Sequence, residues 1–103
     1  MGIFNFLFGK QQNKILEYLN NDAIILDVRT EKEYKSGAIT GSKNVPLQDL
    51  QNQIESLKSL SKPFIVCCAS GVRSAKATKF LNLNNIEAIN GGGWQSLKRT
   101  IDN

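Results

Sequence analysis

Apolar positions along the chain switch repeatedly between two spacings. Ile15, Tyr18 and Leu19 recur at helical intervals, which predicts a helix over roughly residues 10–20, closed by Asn20-Asn21. Ala23-Ile24-Ile25-Leu26-Asp27-Val28 is a nearly unbroken apolar run with β-branched residues. That is the pattern of a strand covered on both faces. Thr30 with Glu33 three positions later forms a capping box, so a short helix is expected over residues 31–36, ending at Gly37. A loop follows, with a short strand near residues 43–45. Leu47, Leu50, Ile54 and Leu57 keep helical spacing and predict one amphipathic helix over residues 47–58. Phe64-Ile65-Val66-Cys67 is a second buried strand. Residues 73–82 read as a helix that offers Ala75, Ala77, Phe80 and Leu81 for packing. Ile86-Glu87-Ala88-Ile89 is a further strand, Asn90-Gly91-Gly92-Gly93 a tight turn, and residues 94–101 a last helix.

Strands therefore alternate with helices. This order predicts an α/β fold with a parallel sheet and helices on both faces. Ligands of such sheets bind beyond the carboxyl ends of the strands. Asp27-Val28-Arg29, the loop after Cys68 and the Gly91–Gly93 turn all follow strands, so all three are expected to meet at one edge.

Composition narrows the chemistry. The 103 residues suit one domain, expected over residues 11–103, preceded by an apolar tail over residues 1–10. The net charge of +4 is compatible with small anionic substrates, and no basic stripe points to nucleic acid. There is no histidine, which excludes a Ser-His-Asp triad, a Cys-His dyad and a histidine-bearing zinc site within this chain. Two adjacent cysteines are too few for a structural zinc and cannot staple distant segments. No metal or cofactor is expected. The tail has no positive region or cleavage site and is too short to span a bilayer. It is read as a segment packed on the domain or on a partner protein, or else as a docking tail on a partner or membrane surface. The expected location is the cytoplasm.

The chemistry concentrates in Val66-Cys67-Cys68-Ala69-Ser70-Gly71-Val72-Arg73-Ser74. A strand end, a short loop and a helix N-terminus make an anion cradle of main-chain N–H groups and helix dipole. A cysteine there is partly thiolate at neutral pH, and Cys68 is the expected nucleophile. Alternation turns Cys67 into the core. Ala69, Ser70, Gly71, Val72 and Arg73 form the anion-binding loop, with Ser70 a candidate donor to the sulfur. Arg73 either binds the substrate anion or closes the loop onto its own carbonyls. Ser74 is read as a helix cap beside the site. Asp27, Arg29 and Glu33 are read as a structural network of ion pairs and hydrogen bonds, and Trp94 as core.

Two separated motifs resemble the single-domain rhodanese-like sulfurtransferases. One is Asp27-Val28-Arg29-Thr30 with Glu33-Tyr34, Ser36-Gly37-Ala38-Ile39, Gly41-Ser42 and Asn44-Val45-Pro46. The other is Cys68-Ala69-Ser70-Gly71-Val72-Arg73-Ser74, and Gly91-Gly92-Gly93-Trp94 fits as well. Ala38 departs from the pattern, since many members carry His after the glycine. The resemblance implies that a Cys68 thiolate takes the sulfane sulfur of thiosulfate or a persulfide. The resulting Cys68 persulfide then passes that sulfur to cyanide or a thiol. Two alternatives stay open. Counted from Cys67, five residues precede Arg73, the spacing of cysteine phosphatases and related arsenate reductases. A non-catalytic docking module of the same fold is the other.

Overall fold

In the computed structural model, residues 3–103 are described, with side-chain detail from Gly9 onward. The first helix, α1, runs Ile3–Asn20. It begins earlier than the spacing of Ile15, Tyr18 and Leu19 predicts, and its backbone takes in most of the stretch read as a tail. The packing and docking roles expected of residues 1–10 lie for the most part outside the described side chains. The remaining elements follow as β1 (Ile24–Asp27), α2 (Glu31–Lys35), β2 (Lys43–Asn44), a 3₁₀ segment (Leu47–Gln53) and α3 (Ile54–Lys58). After these come β3 (Phe64–Cys68), α4 (Val72–Leu83), β4 (Ala88–Gly93) and α5 (Trp94–Asp102).

The strands form one sheet in the order β2-β1-β3-β4, with every pairing parallel. Alternation along β3 sends Phe64, Val66 and Cys68 to one face and Ile65 and Cys67 to the other. Leu50, Ile54 and Leu57 join Ala77 and Leu81 of α4 over the first face. Ile15 and Tyr18 of α1 and Leu97 of α5 cover the second. Both faces are sealed, which is why β3 is buried at all five positions and reads as an unbroken apolar run.

Two further elements differ from the sequence reading. The amphipathic stretch 47–58 is split, because Gln53 leaves helical geometry (φ −108°, ψ 3°) between the 3₁₀ segment and α3. Its apolar residues still face the core. The second difference bears on the site. Asn90-Gly91-Gly92-Gly93 is strand, not turn, and it carries a bulge. Val66 pairs with Asn90 and Cys67 with Gly92, so Gly91 is the extra residue. A Cβ at Gly91 would stand 2.7 Å from Ile65 Cγ2, and one at Gly93 would stand 2.8 Å from the Ala69 carbonyl oxygen. Glycine lets this strand lie flush against the loop that follows Cys68.

The three strand ends do meet. The Val28 N–H donates to the Cys67 carbonyl at 2.9 Å, and β4 lies against Ala69 and Gly71. Among the described residues no helix is long and apolar enough to cross a membrane.

Candidate active site

Cys68 is the last residue of β3, and only Ala69, Ser70 and Gly71 separate it from α4. A turn this short needs a left-handed residue, which Gly71 supplies at φ 105° as the helix N-cap. The turn folds back over the sulfur. The Gly71 N–H donates to Cys68 Sγ at 3.0 Å and the Ser74 N–H at 3.3 Å, while Ser74 Oγ lies 3.3 Å away. Helix α4 is thus aimed with its unpaired N–H end at the thiol.

The sulfur lies beneath the loop. Cys68 is only 1% exposed, whereas Ala69, Ser70 and Val72 above it are open to solvent. Burial by itself pushes the thiol up. The Ser74 hydroxyl and the N–H groups of Ser74, Gly71 and Ser70 act against it and together outweigh it, holding the thiol below its ordinary value. Cys67 has the opposite fate. It is buried against Ile15, Tyr18, Ile39, Ile65 and Leu97, and desolvation followed by the nearby Asp27 charge pushes its thiol up to about 12. Two adjacent residues of one type are separated chemically by strand alternation.

Arg73 has a partner within the protein that the sequence reading did not name. Its guanidinium grips the Glu33 carboxylate, Nη1 to Oε1 at 2.8 Å and Nη2 to Oε2 at 3.0 Å. Glu33 Oε1 also accepts from the Thr30 N–H at 2.9 Å, completing the capping box of α2. Arg73 first, then the Thr30 amide, hold this carboxyl down at about 2. A shallow hollow lined by Val28, Thr30, Pro46, Leu47 and Gln48 opens beside Arg73.

Asp27 and Arg29 form the expected network and turn away from the sulfur. Asp27 is 1% exposed and Arg29 4%. Arg29 Nε donates to both Asp27 oxygens at 3.0 Å, and Nη2 to Oδ2 at 2.7 Å. The remaining donors reach the Glu33 carbonyl at 3.2 Å and the Gly37 carbonyl at 2.7 Å. Trp94 stacks on the guanidinium, 4.6 Å from ring centre to Cζ. Asn44, which the sequence reading left in a motif without a role, donates from Nδ2 to the Asp27 and Arg29 carbonyls, each at 2.9 Å.

Sequence reasoning missed Asn90. Read as turn, it sits on β4 with its amide turned toward α4. Its Oδ1 accepts from Ser74 Oγ at 2.7 Å, and its Nδ2 donates to the Gly71 carbonyl at 3.2 Å. The available signal was an asparagine continuing a strand pattern, since asparagine is depleted in strands.

The family profile described as rhodanese-like domain matches residues 11–100. The tRNA uridine(34) hydroxylase of Buchnera aphidicola is 30% identical over 95 residues, covering 84% of this chain and 30% of that protein. The protein YtwF of Bacillus subtilis, whose name carries the word sulfurtransferase, is 26% identical over 71 residues, covering 69% of this chain and 68% of that one. The crystal structure of a rhodanese-related protein from Thermoplasma volcanium superimposes with a TM-score of 0.72 at 31% identity, covering 85% of this chain and 87% of that one. The chain spans 30% and 52% of the length of the first curated relatives it matches.

Proposed function

The chain belongs to the rhodanese-like domain family, and from that premise we propose that it is a sulfurtransferase working through a persulfide on Cys68. The observation that carries this reading is the set of donors on one sulfur. Two main-chain N–H groups point at Cys68 Sγ, and a hydroxyl oxygen touches it. No base is needed to make a nucleophile, because the thiol is already held below its ordinary value.

The thiolate attacks the outer sulfur of thiosulfate. The new S–S bond forms as the old one breaks, and sulfite leaves with the bonding pair. A persulfide donor gives up a thiolate in the same way. Cyanide or an acceptor thiolate then attacks the outer sulfur of the Cys68 persulfide, and Cys68 departs as thiolate. Charge leaves Sγ once and returns to it once per cycle, and the same N–H groups meet it in the attack and in the departure. The donor approaches over the exposed rim of Ala69, Ser70 and Val72, and the hollow beside Arg73 gives an acceptor room. A reducing cytoplasm suits two free cysteines.

The phosphatase register would make Cys67 the nucleophile. That thiol faces the opposite core with its ionisation pushed up to about 12, which counts against it.

The test is intact-mass analysis of the freshly isolated protein, then of the protein after thiosulfate. One added sulfur on Cys68, released by cyanide as thiocyanate, is the expected result. A folded protein that gains no sulfur from thiosulfate or from a small persulfide overturns the proposal.

A further inference from the structure

Ser74 has one hydroxyl proton and two neighbours that want it. Asn90 Oδ1 lies 2.7 Å from Ser74 Oγ, and Cys68 Sγ lies 3.3 Å away on the other side. The Asn90 amide has only one workable orientation. The Gly92 N–H, which can only donate, faces Oδ1 at 2.9 Å, and the Gly71 carbonyl, which can only accept, faces Nδ2 at 3.2 Å. Oδ1 is therefore an acceptor, and Ser74 must donate to bond it. With the proton spent there, Ser74 turns a lone pair toward the sulfur.

That arrangement suits a neutral thiol, whose S–H completes a chain from Cys68 to Ser74 to Asn90. It does not suit a thiolate, which would face the lone pair. When Sγ is charged, the hydroxyl has to leave Asn90 and turn to sulfur. Oδ1 keeps the Gly92 N–H in the meantime, so the amide is never stranded. We propose that Asn90 is a positioning residue that competes with Cys68 Sγ for the Ser74 hydroxyl proton, so that the hydroxyl follows the charge on the sulfur through the cycle. In the sulfurtransferase reading, on which this role in turnover rests, the hydroxyl returns to Asn90 as Sγ loses charge to the new S–S bond. It swings back when Cys68 departs as thiolate. Gln11 Nε2 donates to the Asn90 carbonyl at 2.7 Å and holds the strand in place while the side chain does this.

The experiment titrates the Cys68 thiolate by its ultraviolet absorbance, without substrate, so its outcome is independent of sulfur transfer. Cys67, pushed up by burial, is expected to titrate well above Cys68. The charged and titratable groups that act on Cys68 are Arg73 of α4, with its partner Glu33, and Cys67, while Asp27 and Arg29 at the end of β1 act on Cys67. Strand β4 contributes none. All of these are kept. Asn90→Leu frees the hydroxyl for sulfur, and the expected result is a lower midpoint, with up to about tenfold more thiolate at a pH below it, the scale of one hydrogen bond to a charged acceptor. Ser74→Ala is expected to raise the midpoint. The decisive comparison repeats Asn90→Leu in the Ser74→Ala background, where its effect must vanish. If the shift survives there, Asn90 acts by holding Gly71 and Gly92, and the proposal is wrong. A midpoint unmoved by Asn90→Leu in the folded protein is equally fatal. Asn90→Ala removes the amide without adding bulk and gives the same reading should the leucine variant fail to fold.

Discussion

Arg73 and Glu33 stand 40 positions apart in the chain and meet in a two-pronged ion pair, at 2.8 and 3.0 Å. The pair ties the first turn of α4 to the first turn of α2. It therefore fixes the helix whose N-terminus cradles Cys68.

Glu33→Gln removes the charge and keeps the shape. Both partners are about a third exposed, so the expected loss of stability is about 1 kcal/mol. The pH dependence has a definite sign. Glu33 is depressed in the folded state from 4.5 to about 2, so the unfolded chain takes up the proton first as pH falls. The contribution is whole above the ordinary carboxylate range and is lost on the way down to about 2. Urea unfolding of wild type and variant at a series of pH values is expected to converge at the acid end. A gap that stays constant with pH would rule out this ion pair as its source.

Replacing Arg29 is expected to be far more damaging. Asp27 is almost wholly buried, and Arg29 supplies three of its hydrogen bonds through the side chain. Arg29→Ala leaves a buried carboxylate without its partner, at a cost of about 3–5 kcal/mol. Arg29→Lys rescues little, because an ammonium cannot bridge Asp27, Glu33 and Gly37 at once or stack on Trp94. Thermal melts read this directly. Near-normal stability in both variants would contradict the role assigned to the pair.

The two cysteines are expected to part company in every assay. Cys68→Ser abolishes sulfur loading while the fold survives. Cys67→Ser costs about 1–3 kcal/mol by putting a hydroxyl into an apolar core, yet still loads sulfur. In the wild type, loading rises with pH as Cys68 ionises and levels off below the ordinary thiol value. Rates of persulfide formation against pH, followed by mass, check this. The reverse pattern, with Cys67 essential and Cys68 dispensable, would transfer the nucleophile to the phosphatase register.

Gly93→Ala is predicted to disturb the site from behind. The added methyl would meet the Ala69 carbonyl at 2.8 Å and Ser70 Cα at 3.6 Å, so the loop over the sulfur has to move. Sulfur loading falls and the thiolate midpoint shifts. Gly91→Ala meets Ile65 Cγ2 at 2.7 Å and Leu97 Cδ2 at 3.1 Å, on the face away from the sulfur. It is expected to cost about 1–3 kcal/mol of stability and to leave the midpoint in place. Equal effects of the two substitutions on the midpoint would dissolve the distinction.

Local pattern by itself determined the order of strands and helices, the capping box at Thr30 and Glu33, and the presence of a cysteine before a helix N-terminus. Each depends on residues a few positions apart, where spacing along the chain equals spacing in space. The turning of Cys67 into the core was legible for the same reason, since alternation in a strand is a local rule, whereas the burial of Cys68 as the last residue of β3 was not. Tertiary structure decided that Arg73 grips Glu33, that Gly91 is the extra residue of a bulge, and that Asn90 reaches Ser74 across 16 positions. Those partners are brought together by the sheet order and the register of β4 on β3, and a parallel sheet takes its register from helices packed on both faces, not from any stretch of sequence read alone.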